Sequence, residues 1–204
     1  MLSADWKTST INSPEAVEAV SFARKLVADG TSPKPGGTFD AIAALTKGQV
    51  AMIGCGRWAI EAARSGNVVD DLAVVPWPKK KQQGSPVGWG SYGMLKSSKN
   101  KDGAWAFIKF LLQQDTQDFI AEAGFGGAAP ARKSSATGSH MLQNSPKGTE
   151  NIYNALAYST PVPGTDKSNL IEQAIANTYG QILAGATDPV AGIQQLDSAV
   201  RGAL

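Results

Sequence analysis

Apolar residues recur at intervals of three and four over most of the chain, and this spacing predicts amphipathic α-helices. Local signals mark the helix boundaries: Ser13 and Pro14 open one helix that Gly30 closes, and Asp188 and Pro189 open the last one. The predicted helices cover residues 14–29, 39–47, 58–64, 100–112, 115–123, 150–158, 168–183 and 189–200.

Shorter apolar runs predict β-strands between the early helices. Residues 50–53 and 72–76 are continuous apolar runs bounded by glycine or proline, as expected for buried strands, and residues 92–96 have strand character. Residues 124–138 are rich in glycine and other small residues, which predicts a linker-type connection. Because strands alternate with helices early and helices alone fill the end, the pattern favours the α/β class.

Composition narrows the function classes. The chain has 204 residues, 42% of them hydrophobic, which is enough to bury a core in one domain or two lobes. Its formal net charge is +2, and its one basic run, Lys79–Lys81, lacks interleaved aromatic residues, so no nucleic-acid partner is indicated. The single cysteine, Cys55, cannot form an intramolecular disulfide, and the single histidine, His140, cannot build a multi-histidine metal site. We therefore expect no metal and no cofactor.

The segment GWGSYG places glycines at 88, 90 and 93 in the G-x-G-x-x-G spacing of dinucleotide-binding loops. That fingerprint needs a strand before the first glycine and a helix at the last, because the helix amino terminus binds the pyrophosphate. Here a proline-containing loop precedes Gly88, and residues 94–98 are predicted as a strand followed by a loop. The flanks therefore argue against a nucleotide site.

Two glycine-rich turns instead present tryptophans. GCGRW follows the predicted strand 50–53 and presents Arg57 and Trp58, and the segment from Gly88 to Ser91 presents Trp89 between Gly88 and Gly90. Flat indole faces beside hydrogen-bonding groups suit a ligand such as a sugar, which has an apolar ring face and a hydroxylated edge. The alternative for each tryptophan is ordinary packing in the core or at its rim.

The remaining tryptophans carry less information. Trp105 lies on the apolar side of helix 100–112 and is expected in the core. Trp6 and Trp77 lie in predicted loops, and their roles stay open.

The order of these motifs resembles the extracellular solute-binding proteins of ABC importers, in particular the maltose-binding-protein-like family. The most specific matches are FDAIAALTKGQVAMIGCGRWAI at residues 39–60 and KSSKNKDGAWAFIKFL at residues 96–111. Family members are about twice as long, and the matched part is their carboxyl-terminal half. The resemblance implies an α/β, periplasmic-binding-protein-like two-lobed fold that closes on its ligand by hinge motion.

The resemblance also implies a division of the chain. Residues 1–94 would belong to the second lobe, 95–137 would cross the hinge and pack with the first lobe, and 138–204 would return to the second lobe. A chain without the rest of the first lobe is expected to bind sugar weakly or not at all, and self-association would cover its exposed interface.

By their place in the motifs, Trp58 would stack on a sugar ring and Gly88 to Ser91 would line the cleft. Asp166 and Asn169, before and within the late helix, are weaker candidates. The implied ligand is a mono- or oligosaccharide, and the implied partner is the membrane permease of an ABC transporter. The protein would be extracytoplasmic, periplasmic or lipid-anchored, with its signal sequence in the half that this chain does not cover.

Two other function classes remain as alternatives. An enzyme could use Asp70 and Asp71, or Cys55 with His140, but the two carboxylates point opposite ways in an extended segment and the histidine lies in a linker-like region. Cys55 is instead expected to be a small buried residue. A protein-interaction module would expose apolar stripes on its late helices.

Overall fold

A computed structural model describes residues 1–37, 39–124 and 127–204 of the chain. Its α-helices, in chain order, are α1 Pro14–Ala28, α2 Ala41–Thr46, α3 Ala59–Ser65, α4 Lys101–Leu111, α5 Gln114–Ala123, α6 Lys133–Thr137, α7 Ser139–Leu142, α8 Asn151–Asn154, α9 Ser168–Leu183 and α10 Pro189–Ala203. The described residues also form two short strands, β1 Ser85–Val87 and β2 Ser159–Pro161, and the 3-10 turns Val69–Asp71 and Ala155–Tyr158.

The chain divides into two compact units. Residues Met1–Phe39 and Pro163–Leu204 form unit 1, and residues Asp40–Val162 form unit 2. These boundaries differ from those of the three predicted segments, whose assignment to lobes stays a prediction. No helix in the described part of the chain has the length and apolar character needed to cross a membrane.

Unit 1 is a helical layer in which α9 and α10 pack on each other and on α1. The core consists of apolar side chains from α9 and α10, joined by residues near the amino terminus: Ile171, Leu196, Val200, Ala203, Leu2, Ile11, Ala174 and Ile175. Gly192 allows the two late helices to approach, since a β-carbon there would lie 2.6 Å from Ile182 Cδ1.

The helix ends in unit 1 follow the sequence signals. Ser13 Oγ accepts a hydrogen bond from the Ala16 backbone N–H at 3.2 Å, and Pro14 occupies the first turn of α1. Asp188 caps α10 in the same way, with Oδ1 2.9 Å from the Val190 nitrogen. These caps supply acceptors for amide groups that have no partner inside the helix.

Unit 2 contains the remaining helices and the only sheet in the described residues. Strands β1 and β2 pair in parallel, with Ser85 opposite Ser159 and Val87 opposite Pro161. The unit has a small-residue core formed by side chains of the helices: Ala44, Ile60, Ala63, Ala121, Ala136 and Met141.

The three predicted strands do not form. Residues 50–53, 72–76 and 92–96 belong to no strand, although Ala73 makes one isolated parallel bridge to Lys147. Met52, predicted as buried, is 85% exposed. An apolar run becomes a strand only where a neighbouring segment pairs with it, and the run alone does not specify that partner.

Other local predictions need correction. The linker predicted at 124–138 contains helix α6, while its residues 125 and 126 lie outside the described part of the chain. The single helix predicted at 150–158 is α8 followed by a 3-10 turn. Trp105, predicted in the core, is 53% exposed on α4.

Candidate functional site

The loop Gly54–Trp58 leads into α3 and carries the first predicted ligand contact. Trp58 occupies the N-cap position of α3 and is 58% exposed. A β-carbon on Gly56 would overlap Trp58 Cζ3 and lie 2.6 Å from Cη2 and 2.8 Å from Cε3. These short distances to three ring atoms place the glycine beneath the ring face, so Trp58 lies flat on the backbone of its own loop.

Trp77 reaches the same loop from a distant part of the chain. A β-carbon on Gly54 would overlap Trp77 Cη2 and lie 3.0 Å from both Cζ2 and Cζ3. Both neighbours of Cη2 are clearly farther away than Cη2 itself, as for a point in the ring plane, so the indole approaches edge-on with its Cη2 corner directed at the glycine. Trp77 is 46% exposed. Sequence reasoning left this residue open, since only the fold shows that its ring reaches Gly54.

Arg57 is placed differently from its neighbour Trp58. Its side chain is buried, with 3% of the residue exposed. The guanidinium pairs with the Glu61 carboxylate and donates from Nη2 to the Ala121 carbonyl at 2.9 Å. Nε has no hydrogen-bond partner among the residues that the structure describes. Arg57 therefore anchors the loop to α3 and α5, and its hydrogen-bonding groups are not displayed on the surface beside Trp58.

A second arginine continues this support beneath the loop. Arg64 donates to the backbone carbonyls of Glu122 at 2.7 Å, Asn144 at 2.8 Å and Gln143 at 2.9 Å. It also lies 3.2 Å from Glu61, so the Glu61 carboxylate is held by two arginines. This network joins α3 to α5 and to the segment after α7. Through the Arg57–Glu61 pair it also holds the loop Gly54–Trp58, called the tryptophan loop below.

Cys55, between the two glycines, is exposed, which corrects the prediction that it is buried. Partial desolvation raises the pKa of its thiol, so the reactive thiolate is disfavoured. His140 Nδ1 lies 3.1 Å from a Glu122 carboxylate oxygen. The pKa of the Cys55 thiol is thus shifted in the direction opposite to that of an activated nucleophile. Within the described residues, no group of three or more His, Cys, Asp and Glu side chains is placed to hold a metal ion.

The segment Gly88–Ser91 follows β1 directly and is exposed throughout, with Trp89 at 69%. The strand before Gly88 corrects the prediction of a loop there. No helix begins until Lys101, so the dinucleotide fingerprint still fails at its second flank. A β-carbon at Gly88 or Gly90 would meet no atom within 4 Å, so no crowding in the described residues explains these glycines.

The other predicted ligand contacts, Trp89, Asp166 and Asn169, belong to segments other than the loop Gly54–Trp58. The side-chain overlaps at Gly54 and Gly56 involve Trp77 and Trp58, and not Trp89. Asp166 lies in the turn before α9 and Asn169 lies in its first turn. Both are exposed residues of unit 1, whereas the tryptophan loop belongs to unit 2.

Two exposed indoles contact a glycine-flanked turn, one lying flat and one edge-on, and the buried Arg57 and half-buried Arg64 join this turn to the neighbouring helices. Aromatic faces of this kind contact flat apolar surfaces of a ligand. Residues 1–177 match the protein family described as bacterial extracellular solute-binding protein. The chain belongs to this family.

The fold of this solute-binding protein is similar to the folds of several solved structures. The ABC substrate-binding protein of Listeria monocytogenes in complex with cycloalternan is similar over 98% of this chain and 52% of its own, with a TM-score of 0.81 and 20% identity. The maltose/maltodextrin-binding domain of Bdellovibrio bacteriovorus bound to maltotriose is similar over 98% of this chain and 53% of its own, with a TM-score of 0.79 and 22% identity. The cyclic alpha-maltosyl-1,6-maltose binding protein of Arthrobacter globiformis is similar over 99% of this chain and 51% of its own, with a TM-score of 0.73 and 23% identity.

These likenesses confirm the predicted fold class, a periplasmic-binding-protein-like α/β fold of which the chain represents part. The chain spans about half the length of the structures it matches. Comparison with curated protein sequences gives no match. Membership of an extracellular solute-binding family agrees with the expected extracytoplasmic location.

Proposed function

We propose that this solute-binding protein captures a carbohydrate for an ABC import system and does no chemistry on it. The observation that carries the proposal is Trp58, whose indole lies flat on Gly56 with more than half of the residue exposed. An indole held in this way offers a fixed apolar face, and a pyranose ring presents a matching face of C–H groups.

The ligands of the similar structures suggest the class of sugar. The three proteins are described with cycloalternan, with maltotriose and with cyclic alpha-maltosyl-1,6-maltose, all of them oligosaccharides. We therefore propose a gluco-oligosaccharide as the ligand. Trp89 and the exposed backbone of Gly88, Gly90 and Ser91 are proposed as a further part of the contact surface, since their glycines leave open space for a ligand.

Arg57 has a supporting role in this proposal. Its buried guanidinium holds the Ala121 carbonyl and the Glu61 carboxylate, so it positions Trp58 through the loop backbone instead of touching the sugar. Asp166 and Asn169, both exposed residues of unit 1, remain proposed as secondary contacts only.

The exposed aromatic residues of α4 support a further part of the proposal. Phe107 and Phe110 lie three positions apart on one helix face, and both are exposed. Exposed aromatic clusters of this kind mark contact surfaces. We propose that segment 95–137 packs with the first lobe in the whole protein, and that the chain by itself covers this face by self-association.

Delivery to a membrane permease completes the proposed role. Closure of two lobes around the sugar would remove it from water, and the closed form would dock on the transporter. The enzyme alternative gains no support from the described residues, because the raised pKa of Cys55 opposes formation of the thiolate nucleophile. The Asp70–Asp71 pair lies in a 3-10 turn and not in the extended segment that the sequence predicts.

The test is isothermal titration of the natural full-length protein with glucose, maltose, maltotriose and cellotriose. Each sugar is recovered afterwards and analysed by chromatography. The proposal predicts saturable binding of at least one gluco-oligosaccharide and recovery of the sugar unchanged. Binding to none of them would overturn the carbohydrate assignment, and conversion of the sugar to a new product would support the enzyme.

A further inference from the structure

We propose that Trp77 is a second sugar-stacking residue, which makes the site select ligands of two or more linked rings over single sugars. The inference rests on the proposed carbohydrate function and adds a residue that the sequence motifs do not identify. It is carried by the contacts of two indoles with one short glycine-containing turn.

The first step is that the ring explains the glycine at position 54. Neither Gly54 nor Gly56 has a positive φ, so backbone conformation does not require glycine at either position. At Gly54 the space of a side chain is taken by the Cη2 corner of Trp77, and at Gly56 by the face of Trp58. The turn is thus shaped to receive two indoles, and the described structure offers no other reason for these two glycines.

The second step is that Trp77 is held in place without being buried. It lies between Pro76 and Pro78, and its own carbonyl accepts a hydrogen bond from Gln83 Nε2 at 3.3 Å. The two prolines restrict the backbone on both sides of the indole. A backbone that is restrained in the free state loses less entropy when a ligand binds, which favours a contact role for an indole that stays 46% exposed.

The third step is the spacing of the two rings. Consecutive residues extend the chain by at most about 3.6 Å each, so the α-carbons of Gly54 and Gly56 are no more than about 7 Å apart. The two indoles therefore meet the same turn at neighbouring points. Trp58 lies flat on it and Trp77 approaches edge-on, so the rings do not present one continuous plane. One sugar ring can stack on one indole, and a second linked ring is needed to use the other.

The experiment compares sugars of increasing length on matched variants. Titration calorimetry on the natural full-length protein gives dissociation constants for glucose, maltose and maltotriose. Trp77→Ala removes the indole, and Gly54→Ala keeps all five tryptophans but displaces the Trp77 ring. The control is Gly84→Ala, at a glycine of ordinary φ with no atom within 4 Å of its would-be β-carbon.

The proposal predicts that both test variants weaken maltotriose binding about threefold to tenfold, which corresponds to one lost aromatic contact, and change glucose binding less than twofold. The control should bind all three sugars as the natural protein does. Because Gly54→Ala retains the indole, it keeps the test decisive where Trp77→Ala fails to fold.

The outcomes separate this inference from the function on which it rests. If sugars bind but neither variant changes the ratio of the maltotriose and glucose constants, the role of Trp77 is overturned while carbohydrate binding stands. Equal loss for glucose and maltotriose also contradicts it, because selection by length is then absent. If the natural protein binds none of the sugars, the proposed function itself fails.

Discussion

The indole of Trp58 covers the α-carbon of Gly56, two residues earlier in the same turn, and the ring occupies the space that any side chain at 56 would need. This contact fixes the ring without enclosing it, since the residue remains mostly exposed. The relationship makes a glycine, and not a polar group, the residue that orients the proposed stacking face.

Replacement of this glycine should move the ring. We expect Gly56→Ala to displace the Trp58 indole and to cost about 1–3 kcal/mol of unfolding free energy, as overpacking commonly does. Tryptophan fluorescence and urea denaturation measure the two effects. Gly84→Ala, which meets no neighbouring atom, serves as the control and should leave both unchanged.

A second glycine is constrained by the salt-bridge network beneath the loop. A β-carbon on Gly124 would overlap the Glu61 carboxylate, and its φ is +70°. Gly48 has a similar φ of +68° but open space around it. We expect Gly48→Ala to cost about 1 kcal/mol for backbone strain alone, and Gly124→Ala to cost at least about 2 kcal/mol because it also disturbs the carboxylate. If urea denaturation gives the same loss of unfolding free energy for both variants, the Glu61 side chain moves aside without cost and the prediction is wrong.

Arg64 should resist even a conservative change. Its guanidinium makes bonds to three backbone carbonyls, and only 11% of its side chain is exposed. Lysine retains the charge but cannot reproduce this planar set of donors. We expect Arg64→Lys to lower the unfolding free energy by about 2–3 kcal/mol. Arg132→Lys, at an exposed arginine with one bond to Leu112, should change it by less than about 0.5 kcal/mol.

Cys55 provides a reporter inside the site without any engineering, because it is the only cysteine and is exposed. Its raised pKa means that the thiolate is scarce at neutral pH. Alkylation by iodoacetamide should therefore be slower at pH 7 than for the unfolded chain, and should accelerate as the pH rises past the ordinary thiol pKa. The rate is followed by mass spectrometry. A folded-state rate equal to that of the unfolded chain across this pH range contradicts the shift.

The same pKa shift has a small consequence for stability. The folded chain keeps the Cys55 proton to a higher pH than the unfolded chain does, so this stabilising effect is complete below the unfolded pKa and is lost as pH rises through the folded one. Cys55→Ser should remove that part of the alkaline decline in the unfolding free energy. If the decline is unchanged in the variant, other groups cause it.

The sequence predicts the helices well because their signals are local. Ser13 and Asp188 cap the helices that follow them, and Gly124 ends α5 in the left-handed conformation, as expected. Strands depend on partners far along the chain: β1 pairs with Ser159–Pro161, and no apolar periodicity near Ser85 indicates that pairing. This is why the apolar runs at 50–53 and 72–76 predict strands that do not form.

In the candidate site, too, residues with a local sequence signal could be predicted and residues placed by distant contacts could not. The GCGRW motif identifies Trp58, because a tryptophan beside glycines is a local signal. Trp77 could not be identified from the sequence, since its contact with Gly54 depends on how two loops meet. The sequence also predicts Arg57 as a ligand contact, because it is a hydrogen-bonding residue beside Trp58. In the fold its side chain is buried and bonded to Glu61 and to the Ala121 carbonyl.

The most direct test of the account is the affinity of the natural full-length protein for its tightest-binding gluco-oligosaccharide, measured by titration calorimetry before and after Trp58→Ala. The account predicts a loss of about tenfold or more for Trp58→Ala, as for a central aromatic contact, and no change for Gly84→Ala. Equal affinity of Trp58→Ala and the natural protein, or no gluco-oligosaccharide bound by either, would contradict it.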